Sequence, residues 1–130
     1  MTVLLLLAMQ LSAQNSINID TKTSLGKVSS LIFGQFIECG IYDPQSSLSD
    51  ANGIRQDVLE KAKELAPTMI RFPGGTFVKT FHWMDGVGPK DQRRPSKNLI
   101  WGGINTFQFV TCEFVEYCRA IGCEPVLVVN

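Results

Sequence analysis

The chain has 130 residues, about the length of one small domain, with 45% apolar and 18% charged residues and a formal net charge of zero. That balance excludes a disordered chain. It also argues against nucleic acid or an anionic membrane as the main partner, since both call for a basic surface.

In chain order, the first segment, MTVLLLLAMQLSAQ, holds an apolar run from Val3 to Met9 that is too short to span a bilayer. The small residues Ser12 and Ala13 follow it, so residues 1–13 are expected to be a signal peptide cleaved after Ala13, although its start carries no Lys or Arg. A secreted or periplasmic protein is the expectation, and no other segment is long and apolar enough for a membrane. Residues 14–28 follow as a strand and linker, with Ser16–Thr23 alternating apolar and polar. From Ser29 the pattern changes. Leu31–Ile37 (LIFGQFI) is almost continuously apolar and predicts a strand buried on both faces. Asn52 and Gly53 lead into IRQDVLEKAKEL, where Ile54, Val58, Leu59, Ala62 and Leu65 recur at helical spacing and Pro67 closes the helix. A second strand, Thr68–Phe72, follows at once.

The stretch from Arg71 to Pro89 reads RFPGGTFVKTFHWMDGVGP, and past the strand end it spreads Phe77, Phe81 and Trp83 through the loop. The basic stretch Lys90–Lys97 is broken by Asp91 and Pro95 and reads as a solvated loop. A second helix is predicted from about Thr106, with Asn105 as N-cap and Gly122 as left-handed stop. Its apolar stripe is Phe107, Val110, Phe114, Cys118 and Ile121. A third apolar strand, Pro125–Val129, comes last. The four cysteines show no CxxC spacing and there is one histidine, His82, so a zinc site is not expected. Cys112 and Cys118 read as small hydrophobes in the helix.

Strands that alternate with helices build a parallel sheet, either a barrel or a doubly wound sheet, with the site at the carboxyl ends of the strands. That rule gathers Glu38, Arg71, Gly74, Gly75 and Asn130 on one face. Three such strands and two helices leave apolar faces uncovered, so the chain is expected to be part of a longer protein. The glycines after Arg71 form neither GxGxxG nor GxxxxGK[ST], which makes phosphate binding a weak reading. Arg71, inside an apolar strand, should be paired with Glu38 or Glu124, or should serve a polar cavity. Phe81 and Trp83 with Asp85 fit either a sugar site or a loop with its own small core.

FGQFIE, NGIRQDVLEKAKEL, RFPGGTF with HWMDGVGP, WGG and EFVEYCRAIGCEPVLVVN occur in one order and spacing. Together they closely resemble the amino-terminal part of the family-51 glycoside hydrolases, the α-L-arabinofuranosidases, from about Leu31 onward. The resemblance implies an α/β fold: residues 29–130 as the first three βα units of a (β/α)8 TIM barrel, preceded by one strand of a β-sandwich domain. It implies release of terminal arabinofuranosyl residues from arabinan and arabinoxylan with retained configuration and no cofactor. Retention needs an acid/base and a nucleophile about 5–5.5 Å apart; in the family these are glutamates on later strands, beyond this sequence. By the same resemblance Glu38 bonds the arabinose ring, Arg71 orients carboxylates beneath it, Thr76 lies beside the sugar and Trp83 stands near the pocket wall. Cys39 departs from the histidine many relatives carry there, and Thr76 stands at a position that varies in the family and is often asparagine or cysteine. Partners would then be an arabinofuranosyl polysaccharide or oligosaccharide, with homo-oligomerisation left open. The rival readings are a non-catalytic carbohydrate-binding module and a barrel glycosidase acting on another plant glycan.

Overall fold

The computed structural model describes residues 15–130, so the signal peptide expected at residues 1–13 lies outside the described residues. Seven short strands and two α-helices make up the regular structure: β1 (Gln35–Phe36), β2 (Ser49–Asp50), β3 (Gly53–Ile54), α1 (Gln56–Leu65), β4 (Met69–Phe72), β5 (Ser96–Lys97), β6 (Ile104–Asn105), α2 (Thr111–Ile121) and β7 (Glu124–Leu127). The frame is a three-stranded parallel sheet in the order β1-β4-β7, with α1 connecting the first pair and α2 lying between β4 and β7 in sequence. Pairing runs on past the strand ends, where Ile37 N–H donates to Arg71 O at 3.0 Å and Val128 N–H to Phe72 O at 2.9 Å. β2–β3 and β5–β6 are two-residue antiparallel hairpins.

The core is mostly aromatic. Phe72, at the end of the central strand, has no exposed surface; it stacks on Phe114 of α2 at 4.9 Å and meets Phe81 and Phe109 edge-on. Phe77 and Val110 are buried beside it. Burying each such ring removes about 150–250 Å² of apolar surface from water, so this cluster supplies most of what holds the connecting loops to the sheet. From α1, only Val58, Leu59 and Ala62 pack partly against it, on one stripe as the sequence spacing requires.

Four expectations need correction. Ser16–Thr23 forms no ladder, and Ile17 and Ile19 are 88% and 79% exposed; an extended segment without a neighbouring strand leaves its backbone groups to water. Leu31–Ile37 is not a strand buried on both faces. Ser30–Phe33 winds into a 3₁₀ turn whose first free N–H, on Leu31, is accepted by Ser29 Oγ, and only Gln35 and Phe36 pair. This strand is one edge of the sheet, and Ile32, Phe33 and Phe36 lie more than half exposed because no described residue covers them.

The third correction is the start of α2, at Thr111 and not Thr106. Phe107 sits at φ +55, which no right-handed helix admits, and Asn105 pairs with Ser96 in the β5–β6 hairpin in place of capping. Glu113 does the capping, accepting the Val110 N–H at 3.1 Å. Its stop at Gly122, φ +79, is as expected. Fourth, the basic stretch is not wholly solvated. The Arg93 side chain is 4% exposed and ion-paired to Glu113 at 3.0 Å. All four cysteines are free thiols; Cys118 is a buried small hydrophobe as expected, whereas Cys112, expected to pack likewise, is exposed because it lies on the outer face of α2. No helix among the described residues is long and apolar enough to cross a membrane.

Candidate functional site

The carboxyl ends of β1 and β4 lie side by side, and the residues just past them form the candidate site. Glu38 follows Ile37, the last residue hydrogen-bonded across to β4, and starts a tight turn in which Ile41 N–H donates to Glu38 O and Asp43 N–H to Gly40 O. The Glu38 carboxyl lies flat on Gly74. A Cβ at position 74 would stand 2.7 Å from Glu38 Cδ and 2.8 Å from Oε1, and the Gly74 backbone has φ +99. Only glycine satisfies both conditions, the close approach and the left-handed region. Glu38 Oε2 is buried and has no hydrogen-bond partner among the described residues. A buried carboxylate oxygen without a donor is a position that a ligand hydroxyl can fill.

Arg71 reaches the same edge from β4, with Nη2 3.7 Å from where a Cβ on Gly75 would stand. Neither pairing expected for it is present. Arg71 is exposed, forms no ion pair among the described residues, and lays its guanidinium carbon 5.1 Å from the centroid of the Phe36 ring. Its charge needs no buried partner because the edge strand leaves that face open. Thr76, exposed, begins the 3₁₀ turn Thr76–Thr80 directly after the glycine pair. Glu38, Arg71 and Thr76 thus gather around Gly74 and Gly75. Trp83 does not join them. Half exposed, it lines a separate, apolar cavity of about 160 Å³ past the ends of β4 and β7, with Phe72, Pro73, Phe81, Leu127 and Val129.

The aromatic loop resolves by position. Phe77 and Phe81 are 1% and 5% exposed and belong to the core, while Trp83 remains accessible. The sugar-site and own-core readings of the loop therefore apply to different rings. Asn130 is tied to the same loop, its Nδ2 donating to Lys79 O at 3.5 Å. Cys39, in the turn after Glu38, donates its thiol to Phe109 O at 3.9 Å; burial and then the nearby Asp43 push it up to about 12, so it is no nucleophile at neutral pH.

Two supports escape the sequence reading. Asp43, 8% exposed, accepts the Thr106 hydroxyl on Oδ2 at 2.5 Å, and Tyr42 Oη donates to Tyr117 Oη at 3.2 Å. These contacts clamp the Glu38 turn onto α2 and onto the segment that precedes it. The second support is Arg93, which donates to Gly88 O, Phe107 O and both carboxylate oxygens of Glu113. Burial raises the Glu113 carboxyl, but the Arg93 hydrogen bonds and the Val110 N–H outweigh it and hold the group below its ordinary value. The Asp-Pro pair at Asp43–Pro44 signals a turn; nothing in the sequence signals the Arg93–Glu113 pairing across twenty residues. Chemically, Glu38 and Arg71 present an acceptor and donors to a polyhydroxylated ligand. Among the described residues no cluster of three His, Cys, Asp or Glu could hold a metal.

Residues 61–130 match the sequence profile described as the Alpha-L-arabinofuranosidase 1 domain. Over 97 residues the chain is 54% identical to Alpha-L-arabinofuranosidase C of Emericella nidulans, covering 75% of this chain and 19% of that one. It is 36% identical over 121 residues to the intracellular exo-α-(1→5)-L-arabinofuranosidase of Streptomyces lividans, covering 86% of this chain and 18% of that one. The fold is similar to the α-L-arabinofuranosidase of Thermotoga maritima in its arabinose complex, with TM-score 0.67 and 47% identity over 75% of this chain and 22% of that one. It is also similar to a family-51 α-L-arabinofuranosidase of Bifidobacterium longum, with TM-score 0.73 and 37% identity over 83% of this chain and 23% of that one. The chain spans about a fifth of the length of the curated relatives it matches.

Proposed function

Because the chain belongs to the family-51 α-L-arabinofuranosidases, we propose that the full-length protein is a retaining glycoside hydrolase that releases terminal non-reducing α-L-arabinofuranosyl residues from arabinan or arabinoxylan. Residues 29–130 form the first three βα units of its (β/α)8 barrel. The observation that carries the reading is the Glu38 carboxyl laid on Gly74 at the carboxyl ends of two parallel strands, with Oε2 buried and unpartnered. Such a group, placed where an α/β sheet binds its ligands, accepts a sugar hydroxyl. Arg71 orients the carboxylates that complete the site and Thr76 stands beside the sugar, while Trp83, in the separate apolar cavity past β4 and β7, offers its ring to the rest of the glycan. The acid/base and nucleophile are glutamates on later strands, outside this sequence, so these 130 residues alone bind but do not hydrolyse. Export as a secreted or periplasmic enzyme completes the proposal, with Gln14 as the mature first residue.

The test is hydrolysis of an aryl α-L-arabinofuranoside by the full-length protein and two variants. Glu38→Ala should lower kcat/KM by the equivalent of about 2–4 kcal/mol, the range of a lost ligand contact that strengthens in the transition state. Glu60→Ala, on the exposed face of α1, should stay within about 0.5 kcal/mol of the parent. Equal kinetics for the two variants would remove Glu38 from the site, and no turnover by the parent would remove the activity.

A further inference from the structure

The cap that ends α2 brings two thiols together. Gly122, at φ +79, folds the chain back so that its own N–H and that of Cys123 both donate to Cys118 O, at 2.9 and 3.0 Å. A cap of this kind presses the side chain two residues past the helix end against the one in its last turn. Here both are cysteine. Disulfides need Cα atoms about 4.4–6.8 Å apart, and a backbone bond from residue 123 to residue 118 holds the two within that reach. Both are free thiols.

We propose that Cys118 and Cys123 form a redox-active dithiol, a modification site that low-molecular-weight disulfides oxidise to an intramolecular Cys118–Cys123 disulfide. The two cysteines have different parts. Cys118 has no exposed surface, while Cys123 is half-buried and open to a small reagent. Burial first, and then the hydrogen bond with Cys123, pushes the Cys118 thiol up to about 12; burial raises Cys123 as well, but there the same bond works in the opposite sense and offsets part of the rise. Cys123 is therefore the first to ionise and the attacking group. Its thiolate attacks one sulfur of the small disulfide, whose S–S bond breaks and releases one thiol; a mixed disulfide is left on Cys123. Cys118 then gives up its proton and attacks the Cys123 sulfur, releasing the second thiol. Two protein thiols are oxidised and one external disulfide is reduced to two thiols, so the exchange balances. Cys112, exposed on α2, has no such neighbour, and Cys39 faces the Phe109 carbonyl.

The full-length native protein is incubated with oxidised glutathione at about pH 8, alkylated and digested with trypsin. Arg119 lies between the two cysteines, so their disulfide appears as a two-peptide species about 2 Da lighter than its reduced components together. This species should accumulate, disappear on treatment with a dithiol reductant, persist in Cys112→Ala and be absent from Cys123→Ala. A stable glutathione adduct on Cys123 with Cys118 still reduced would overturn the proposal, as would the absence of any change at either residue. The wild-type peptide map decides the matter even where a variant does not fold.

Discussion

Arg93→Met isolates the one deeply buried ion pair among the described residues. Arg93 gives four hydrogen bonds: to Gly88 O at 3.0 Å, Phe107 O at 2.8 Å, and Glu113 Oε2 and Oε1 at 3.1 and 3.0 Å. Methionine keeps the aliphatic stem but takes the guanidinium donors from two carbonyls and from a carboxylate 14% exposed, which then keeps only the Val110 N–H and Lys90, the latter 3.8 Å away. Breaking one side of such a pair costs about 3–5 kcal/mol. The upper part of that range applies, because the Phe107 carbonyl belongs to a residue at φ +55, a conformation that itself costs about 1–2 kcal/mol and is fixed by its neighbours. Chemical denaturation of the full-length protein, wild type against variant, measures the loss.

The pH dependence of that difference supplies an independent check. Glu113 is depressed below its ordinary value of 4.5 in the folded state, so its contribution is present above about 4.5 and is lost as pH falls through the folded value. The gap between wild type and variant should therefore narrow on acidification below about 4.5. A loss under about 1 kcal/mol at pH 7, or a gap that stays constant into acid, would refute the reasoning.

Gly74→Ala should displace the Glu38 carboxyl, since the new methyl would stand 2.7 Å from its Cδ at φ +99; we expect about 1–3 kcal/mol of destabilisation, read by melting, and a fall in kcat/KM. Arg71→Met removes an exposed cation resting on Phe36, so stability should change by less than about 1 kcal/mol while activity drops and the acidic limb of the pH–rate profile shifts upward; a large drop in Tm with normal kinetics would oppose a positioning role. Phe77→Ala should cost about 3–5 kcal/mol in denaturation, and Trp83→Ala under about 1 kcal/mol with an effect confined to kinetics.

The parallel β-α-β-α-β order was legible because helix α1 carries its apolar residues at Val58, Leu59 and Ala62 and ends at Pro67, and because Gly122 marks the end of α2. Those signals are local. What failed depended on contacts distant in sequence. Apolar residues at 31–36 predicted burial, but an edge strand takes its cover from segments that lie next to it, and none of the described residues does so. Phe107 fitted a helical stripe, yet its carbonyl is held by Arg93, fourteen residues away, in a conformation the helix excludes. The site was legible in part for the same reason. Glu38, Arg71 and Thr76 sit at strand ends, where the rule for α/β sheets looks for them; Trp83 sits in a loop whose path is set by Phe77 and Phe81, and only the packed structure shows that it faces another cavity.

In the turn Thr76–Thr80 one residue faces solvent and the next is locked in the core: Thr76 is exposed, and Phe77 is 1% exposed. The same alternation recurs at Phe81 and Trp83. Substitutions at 76 and 83 can therefore accumulate without unfolding the wall on which they stand, while 77 and 81 are closed to change. Variation tolerated by this segment is therefore concentrated in side chains, such as these two, that face outward. A saturation library restricted to positions 76 and 83 would sample new specificities from a population that stays almost entirely folded.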